Sequence, residues 1–184
     1  MIIIETNRLI LRTWEEKDID AMVAIDQDPK VCEFLPGIGN RDATEAGIRR
    51  IIQHYEQHGF CLYAVELKST HTFIGWIGLS IPSFEAHFTP AVEIGWRLDS
   101  QYWNQGFATE GAKAVLHYAF TKLNLNEIVS FTVVNNKASR RVMEKIGLHH
   151  DPDGDFDHPK LHISHPLCRH VLYRLSKKEY IKFM

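Results

Sequence analysis

The stretch from Ala91 to Val134 constrains the fold of this chain more than any other. Ala91–Leu98 reads as a strand. A helix follows from Ala108 to Leu123, with Ala112, Val115, Leu116, Ala119, Phe120 and Leu123 on one apolar face. Ile128–Val134 is β-branched and aromatic and reads as a buried strand. A strand–helix–strand crossover of this length normally pairs its two strands in parallel. The chain therefore needs a sheet with at least one parallel pair and a helix covering it.

The flanking segments predict the rest. Arg8–Trp14 alternates as a strand. Thr13 and Glu16 have capping-box spacing for a helix running to about Asp28, ahead of Pro29. Asp42 can cap a second helix, with Ile48, Ile51, Ile52 and Tyr55 as its buried face and Gly59 as its end. Phe60–Leu67 and Phe73–Ile81 form a hairpin across Lys68–Thr72, and Pro82–Pro90 is a loop. A helix spans about Asn136–Ile146, closed by Gly147, with Ala138, Val142 and Ile146 buried. Asp151–Pro166 reads as a long loop and His170–Leu175 as a last strand. The order implies an α/β fold of the α+β type, with a mixed, mostly antiparallel central sheet flanked by helices. Without repeats or linkers, the 184 residues are expected to make a single domain, 1–184.

Two strand-to-helix junctions carry chemistry. The first is Asp99–Gly111, DSQYWNQGFATEG. Gly106 permits positive φ or close backbone approach. The first N–H groups of the following helix have no partner within it, and the helix dipole there favours negative charge. That is a phosphate cradle needing no basic side chain. It matches neither a Walker loop nor the G-x-G-x-x-G fingerprint. The second junction is Asn135–Leu148, NNKASRRVMEKIGL. Asn136 caps its helix, which places Ser139 in the first turn, where a hydroxyl can meet a ligand.

Composition narrows the class. A net charge of -2 gives no footprint for nucleic acid. No apolar run reaches the ~20 residues of a membrane span, and the N-terminus does not read as a signal peptide. Three cysteines, Cys32, Cys61 and Cys168, are odd in number and widely spaced, which suits a reduced, cytoplasmic protein. His149, His150, His158, His162, His165 and His170 crowd one region with Cys168. Only His158 and His162 have ligand-like spacing, in a loop broken by Pro159, so no metal is expected.

The two junctions in this order resemble the GNAT superfamily of N-acetyltransferases. TNRLILRTWEEKDID is similar to the opening of its RimJ/RimL-like branch, which acetylates ribosomal-protein N-termini. VEIGWRLDSQYWNQGFATEGAKAVLHYAF resembles that branch's coenzyme A segment, and NNKASRRVMEKIGL its N-x-x-S helix. In the superfamily pattern Q/R-x-x-G-x-G/A, Trp103 replaces the first polar residue, and Leu148 stands where an aromatic is common.

The resemblance implies acetyl-CoA as cosubstrate. Its pantetheine arm would lie between splayed parallel strands, bonded to the backbone of Trp96, Arg97 and Leu98. Its pyrophosphate would sit on the N–H groups of Asn104, Gln105, Gly106, Phe107, Ala108 and Thr109. Asn136, Ser139 and Arg140 complete the cofactor-binding set, and Lys137 or Arg141 can also reach the adenosine phosphates. An amine then attacks the thioester directly. Glu93 is the candidate base, itself or through a water, and Ser139 the hydrogen-bond partner of the departing sulfur. Tyr173 and Tyr102 are less well placed for that role. Asp155, Asp157 and His158 could meet a cationic acceptor, with His165 and His170 fixing their loop. Ser83–His87, carrying Glu85, and Cys32–Arg41 are further acceptor walls.

The expected function is N-acetylation of a primary amine by a monomer or homodimer. The alternatives are a related acyltransferase using another acyl group or an antibiotic or polyamine acceptor, and a non-catalytic acyl-CoA-binding module.

Overall fold

A computed structural model describes residues Met1–Phe183. Thirteen helices and strands follow in the order β1 (Ile2–Glu5), β2 (Leu9–Arg12), α1 (Asp18–Gln27), α2 (Arg41–His58), β3 (Leu62–Leu67), β4 (Phe73–Ser80), β5 (Glu93–Leu98), α3 (Phe107–Thr121), β6 (Glu127–Val133), α4 (Lys137–Lys145), β7 (His149–Asp157), β8 (Arg169–Ser176) and α5 (Lys177–Phe183). The strands make a mixed sheet in the order β1-β2-β3-β4-β5-β6-β8-β7. The β5–β6 pairing is parallel, with Glu93 opposite Val129, as the crossover requires. The pairings β1–β2, β2–β3, β3–β4, β6–β8 and β7–β8 are antiparallel. No described helix is long and apolar enough to cross a membrane.

The chain groups into two compact units. The first holds Met1–Ser80 and Gly95–Val115. Its central strand β3 is buried on both faces, so Tyr63, Ala64 and Val65 form a continuous apolar run rather than an alternation. Trp14, Met22, Ile25, Ile48 and Ala64 pack α1 and α2 together over it. Gly75 lets β4 come so close to β5 that a Cβ there would stand 2.1 Å from the Arg97 carbonyl oxygen.

Beneath this core lies a buried ion network. Arg12 Nη1 and Nη2 donate to Asp18 at 2.7 and 2.8 Å, and its Nε donates to Glu66 at 3.1 Å. All three side chains are nearly solvent-free. His71 Nδ1 closes the network on Glu66 at 2.7 Å.

The second unit holds Ile81–Ile94 and the residues from Leu116 onward. β6 pairs with β8 along its full length, from Glu127↔Ser176 to Val133↔His170. Phe88, Val129, Phe156 and Leu172 form the centre of its core, with Phe84 and Phe131 against them.

Several expectations need correction. β1 is a strand although its apolar run is short; backbone pairing with β2 holds it while Ile2 stays exposed. The strand expected over Arg8–Trp14 is confined to Leu9–Arg12. Thr13 does not cap α1. Its hydroxyl accepts from the N-terminal ammonium, and the Glu15 N–H is taken by Asp18, from inside the helix. Asn40, not Asp42, caps α2, accepting from Ala43 N at 2.9 Å; Asp42 lies in the first turn, where the dipole favours it. Ile52 leaves the buried face of α2 for solvent. On α4 the buried residues are Met143 and Ile146, while Ala138 is exposed.

The first part of the long loop expected over Asp151–Pro166 belongs to β7. Asp-Pro-Asp-Gly-Asp has the composition of a turn, but an edge strand tolerates proline and charge, and the register shifts between Asp151 and Phe156. A final helix, α5, was not expected. Its capping box is Ser176 with Glu179: Glu179 accepts from the Ser176 N–H and hydroxyl at 2.8 and 2.6 Å.

Candidate active site

The first junction lies wholly within the first unit. β5 ends at Leu98, and Asp99 accepts from Gln101 N at 2.9 Å to start a short 3-10 turn, Ser100–Tyr102. Trp103 Nε1 donates back to the Leu98 carbonyl at 2.8 Å, and Gln105 Nε2 to the Gln101 carbonyl at 3.0 Å. The backbone then turns through positive φ twice, at Asn104 (60°) and Gly106 (83°). Gly106 O accepts the first helical bond of α3, from Glu110 N at 2.9 Å. The N–H groups of the first turn therefore point out of the helix end. Trp103, Asn104, Gln105 and Gly106 are exposed, and Phe107 is buried beneath them. A Cβ on Gly106 would meet Arg8 Nη2 at 3.4 Å.

Arg8 is the residue that sequence reasoning missed. Its Nη1 donates to the Gln105 carbonyl at 2.9 Å and its Nε to Glu110 at 2.6 Å. Its guanidinium lies 4.3 Å above the Phe107 ring centre. Glu110 also accepts from Thr6 Oγ1 at 2.6 Å and Arg8 N at 2.9 Å. Burial pushes the Glu110 carboxyl up, but these hydrogen bonds and the Arg8 charge outweigh it and hold the group below its usual range. About a hundred residues separate Arg8 from the turn, and no local pattern signals that contact.

Trp96, Arg97 and Leu98 lie on β5 just before the turn. Trp96 is half-buried and Leu98 buried. Arg97 Nη1 donates to Asp26 at 2.6 Å and its guanidinium lies over Trp76. Asp26 also accepts from Thr44 Oγ1 at 2.8 Å, and its carbonyl takes Cys32 Sγ and Gly39 N at 3.0 Å each. Ser100 Oγ donates to Asp28 at 2.5 Å. The loop Cys32–Arg41 is thereby tied through Asp26 to the strand that precedes the turn.

The remaining candidates, Glu93, Asn136, Ser139 and Arg140, belong to the second unit. Glu93 is half-buried at the start of β5. Val129 N donates to Val92 O at 2.9 Å on one side of it. On the other side, the Ile94 carbonyl accepts from the Ser130 hydroxyl at 2.8 Å. Asn136 Oδ1 accepts from Ser139 N at 3.1 Å, the cap its position predicts, and Asn136 Nδ2 is held by Thr132 Oγ1 at 3.1 Å. Among the described residues the half-buried Ser139 hydroxyl makes no hydrogen bond. Arg140 folds back: Nε donates to the buried Tyr173 hydroxyl at 3.2 Å and Nη1 to the Val134 carbonyl at 3.1 Å. Arg141 pairs with Glu144.

The histidine-rich segment is a packed aromatic cluster. Phe84 stacks on Phe156, Phe131 and His158 meet Phe84 edge-on or tilted, His170 packs against Phe131 and Phe156, and the imidazole centres of His158 and His170 are 5.1 Å apart. His170 Nδ1 donates to the Cys168 carbonyl at 3.0 Å, while His158 Nδ1 accepts from Lys160 N at 3.3 Å. Burial lowers both pKa values; His170 and Lys160 lower that of His158 further. Asp155 accepts from Leu172 N and pairs with His150, and Asp157 pairs with Arg169, so both carboxylates are engaged within the segment. Among the described residues no group of three or more His, Cys, Asp or Glu side chains could hold a metal ion.

Residues 8–149 match the family model of the acetyltransferase (GNAT) domain. An N-acetyltransferase of Bacillus subtilis, YnaD, is 32% identical over 146 residues, covering 79% of this chain and 81% of its own. The crystal structure of a GNAT-family acetyltransferase from Bacillus anthracis superposes with a TM-score of 0.79 at 27% identity, covering 97% of this chain and 99% of that one. The spermidine N-acetyltransferase of Vibrio cholerae, solved with CoA and spermine, shares the fold at 19% identity, with a TM-score of 0.73 over 96% of this chain and 99% of its own. The chain belongs to the GNAT family of acetyltransferases.

Proposed function

We propose that the chain, working as one acetyltransferase domain, moves the acetyl group of acetyl-CoA onto a primary amine, either a protein N-terminal α-amine or a small-molecule amine. The observation that carries this reading is the exposed turn ahead of α3. The backbone turns through positive φ at Asn104 and Gly106, residues 103–106 are exposed, and the first N–H groups of α3 have no acceptor within the helix. Such a helix end suits a pyrophosphate, and the backbone of Trp96, Arg97 and Leu98 leads directly into it. Asn136, Ser139 and Arg140 are assigned to the same cosubstrate by the resemblance of Asn135–Leu148 to the family's N-x-x-S helix. There Arg140 acts by ordering the first turn of α4, since its Nε and Nη1 are engaged.

The thioester supplies the acetyl carbon, and the amine nitrogen bonds to it as the carbon–sulfur bond breaks. Direct attack is favoured over a cysteine-bound intermediate because Cys32, Cys61 and Cys168 are all buried, with the Cys61 thiol pushed up to about 12 by burial. The amine must be neutral. An α-amine of pKa ~7.7–8.0 needs only ~1 kcal/mol to lose its proton at neutral pH, while a lysine amine near ~10.4 needs ~4–5 kcal/mol. Glu93 takes that proton, directly or through a water. Ser139 hydrogen-bonds the departing sulfur, which leaves as a thiolate and takes up, through solvent, the proton the nitrogen sheds as the amide forms; a serine is too weak an acid to supply it. The likeness of Thr6–Asp20 to the RimJ/RimL-like branch supports the α-amine as acceptor.

The test is thiol release from acetyl-CoA with N-terminal peptides and small amines offered in parallel. Acceptor-dependent release is the expected result. Absence of acetyl-CoA binding by titration, together with no turnover on any acceptor, overturns the reading.

A further inference from the structure

We propose that Arg8, from the opening strand region, is a phosphate-binding residue of the turn ahead of α3 and contacts the pyrophosphate of the acyl donor. The inference rests on the acetyl-CoA reading above. The segment Asp99–Gly111 contains no lysine or arginine, so any cation at this turn must come from elsewhere in the chain. Arg8 supplies one, and its fork is fixed on two sides: Nε is held by Glu110 and Nη1 by the Gln105 carbonyl. The guanidinium plane rests on Phe107.

Nη2 is left beside Gly106, and among the described residues it makes no hydrogen bond. Two donors thus orient a third toward the exposed turn. The Arg8 side chain remains 47% exposed, so an incoming anion can reach it.

The electrostatics point the same way. A cation near a helix N-terminus stands against the dipole. Glu110, in the first turn of α3, offsets that cost but does not require Nη2. An anion seated on the turn would use the dipole and the guanidinium together, and a planar fork suits a phosphate oxygen pair. Because the side chain is already immobilised, little rotamer entropy is lost on contact.

A purely structural Arg8 would hold the Thr6–Arg8 segment against α3 and touch no ligand. Three acyl donors separate the roles: acetyl-CoA, its 3′-dephospho form, and acetyl-pantetheine, which lacks all phosphates. For Arg8→Gln, kcat/KM with acetyl-CoA and with the 3′-dephospho donor should each fall about tenfold more than with acetyl-pantetheine. Arg8→Lys, which keeps the charge without the fork, should recover part of the loss. Glu110→Gln, which keeps the guanidinium, should weaken the phosphate-bearing donors much less than Arg8→Gln. The salt dependence of acetyl-CoA affinity should be shallower in Arg8→Gln than in the parent.

Equal losses on all three donors would reduce Arg8 to a structural brace and overturn the proposal. A loss confined to acetyl-CoA would move the contact to the 3′-phosphate and overturn the pyrophosphate assignment. Failure of the parent protein to use any of the three donors would instead defeat the acetyl-CoA reading.

Discussion

Replacing Arg12 by Met removes the cation shared by two buried carboxylates. Asp18 is 1% exposed and Glu66 7%, and Arg12 makes three hydrogen bonds to them. Met fills much of the arginine stem but leaves Asp18 without a cation and Glu66 with only the exposed His71 as a side-chain partner. Breaking a buried pair in this way costs ~3–5 kcal/mol. For a chain of this length each kcal/mol lowers Tm by ~2–4 °C, so a drop of ~6–20 °C is expected. The cost should also depend on pH. Burial pushes the Glu66 carboxyl up, but hydrogen bonds from His71 and Arg12 prevail and set it below its ordinary value. Its pairing therefore contributes stability above the unfolded pKa of ~4.3, which is lost as pH falls through the lower folded value. The deficit of Arg12→Met should be largest near neutrality and shrink below about pH 4. Urea unfolding of both proteins across that range measures it. Adding Asp18→Asn and Glu66→Gln to Arg12→Met should restore more than half of the loss, because no buried charge is then left alone. A deficit under ~1 kcal/mol, or one independent of pH, would refute the view that these carboxylates depend on Arg12.

Three further outcomes follow from the site. Gly106→Val places a β-branched residue at φ 83°, a strain of ~1–2 kcal/mol that a protein of ordinary stability survives. Calorimetry should show a folded protein that no longer binds acetyl-CoA, and unchanged affinity would remove the turn from the binding site. Ser139→Ala should lower kcat by about tenfold and acetyl-CoA affinity less, since a hydrogen bond to the departing sulfur strengthens as charge develops there; equal turnover would exclude it. His158 and His170 have folded pKa values below the unfolded ~6.5, so their neutral forms contribute stability above that pH that is lost on acidification. His170→Phe should therefore flatten the fall in urea midpoint between about pH 7 and about pH 5, and a slope as steep as the parent's would contradict this.

The parts of the fold legible in the sequence are those set by neighbours along the chain. Gly59 ends α2 in the left-handed conformation, and Asn136 caps α4 through Ser139 N, both as their spacing predicts. The crossover gives its parallel pair at Glu93 and Val129. Elements set by tertiary partners were harder to read. β1 and β7 are short or turn-like in composition and owe their conformation to pairing with β2 and β8. The α5 capping box, Ser176 to Glu179, is written in the sequence, but the short segment after it shows no apolar repeat of helical period. Among site residues, the turn Asn104–Thr109 was visible because glycine chemistry is local. Arg8 was not, because a guanidinium on a long flexible stem can serve any surface within its reach, and only the fold says which.

The face of α4 shows how a small misreading of periodicity moves the buried side of a helix while leaving the role expected of Ser139 unchanged. Ala138, Val142 and Ile146 share a repeat of four, which drifts about 80° over eight positions of a 3.6-residue helix. Ser139, Met143 and Ile146 span seven positions and drift only about 20°. The structure follows the second set, with Met143 and Ile146 buried and Ala138 in solvent. Ser139 thus stands on the inward side of α4, one turn above Met143, rather than on an outward flank of the helix. Its N–H is fixed by Asn136 while its hydroxyl keeps its hydrogen-bonding capacity. Next to it, Arg140 is spent on Tyr173 and Val134, which holds the first turn of α4 to β8. A rigid helix end with a half-buried, unengaged hydroxyl suits a group that must meet a sulfur only as it leaves. A solvent-facing serine at the same position would bond water equally well before and during the reaction, and would gain nothing in the transition state.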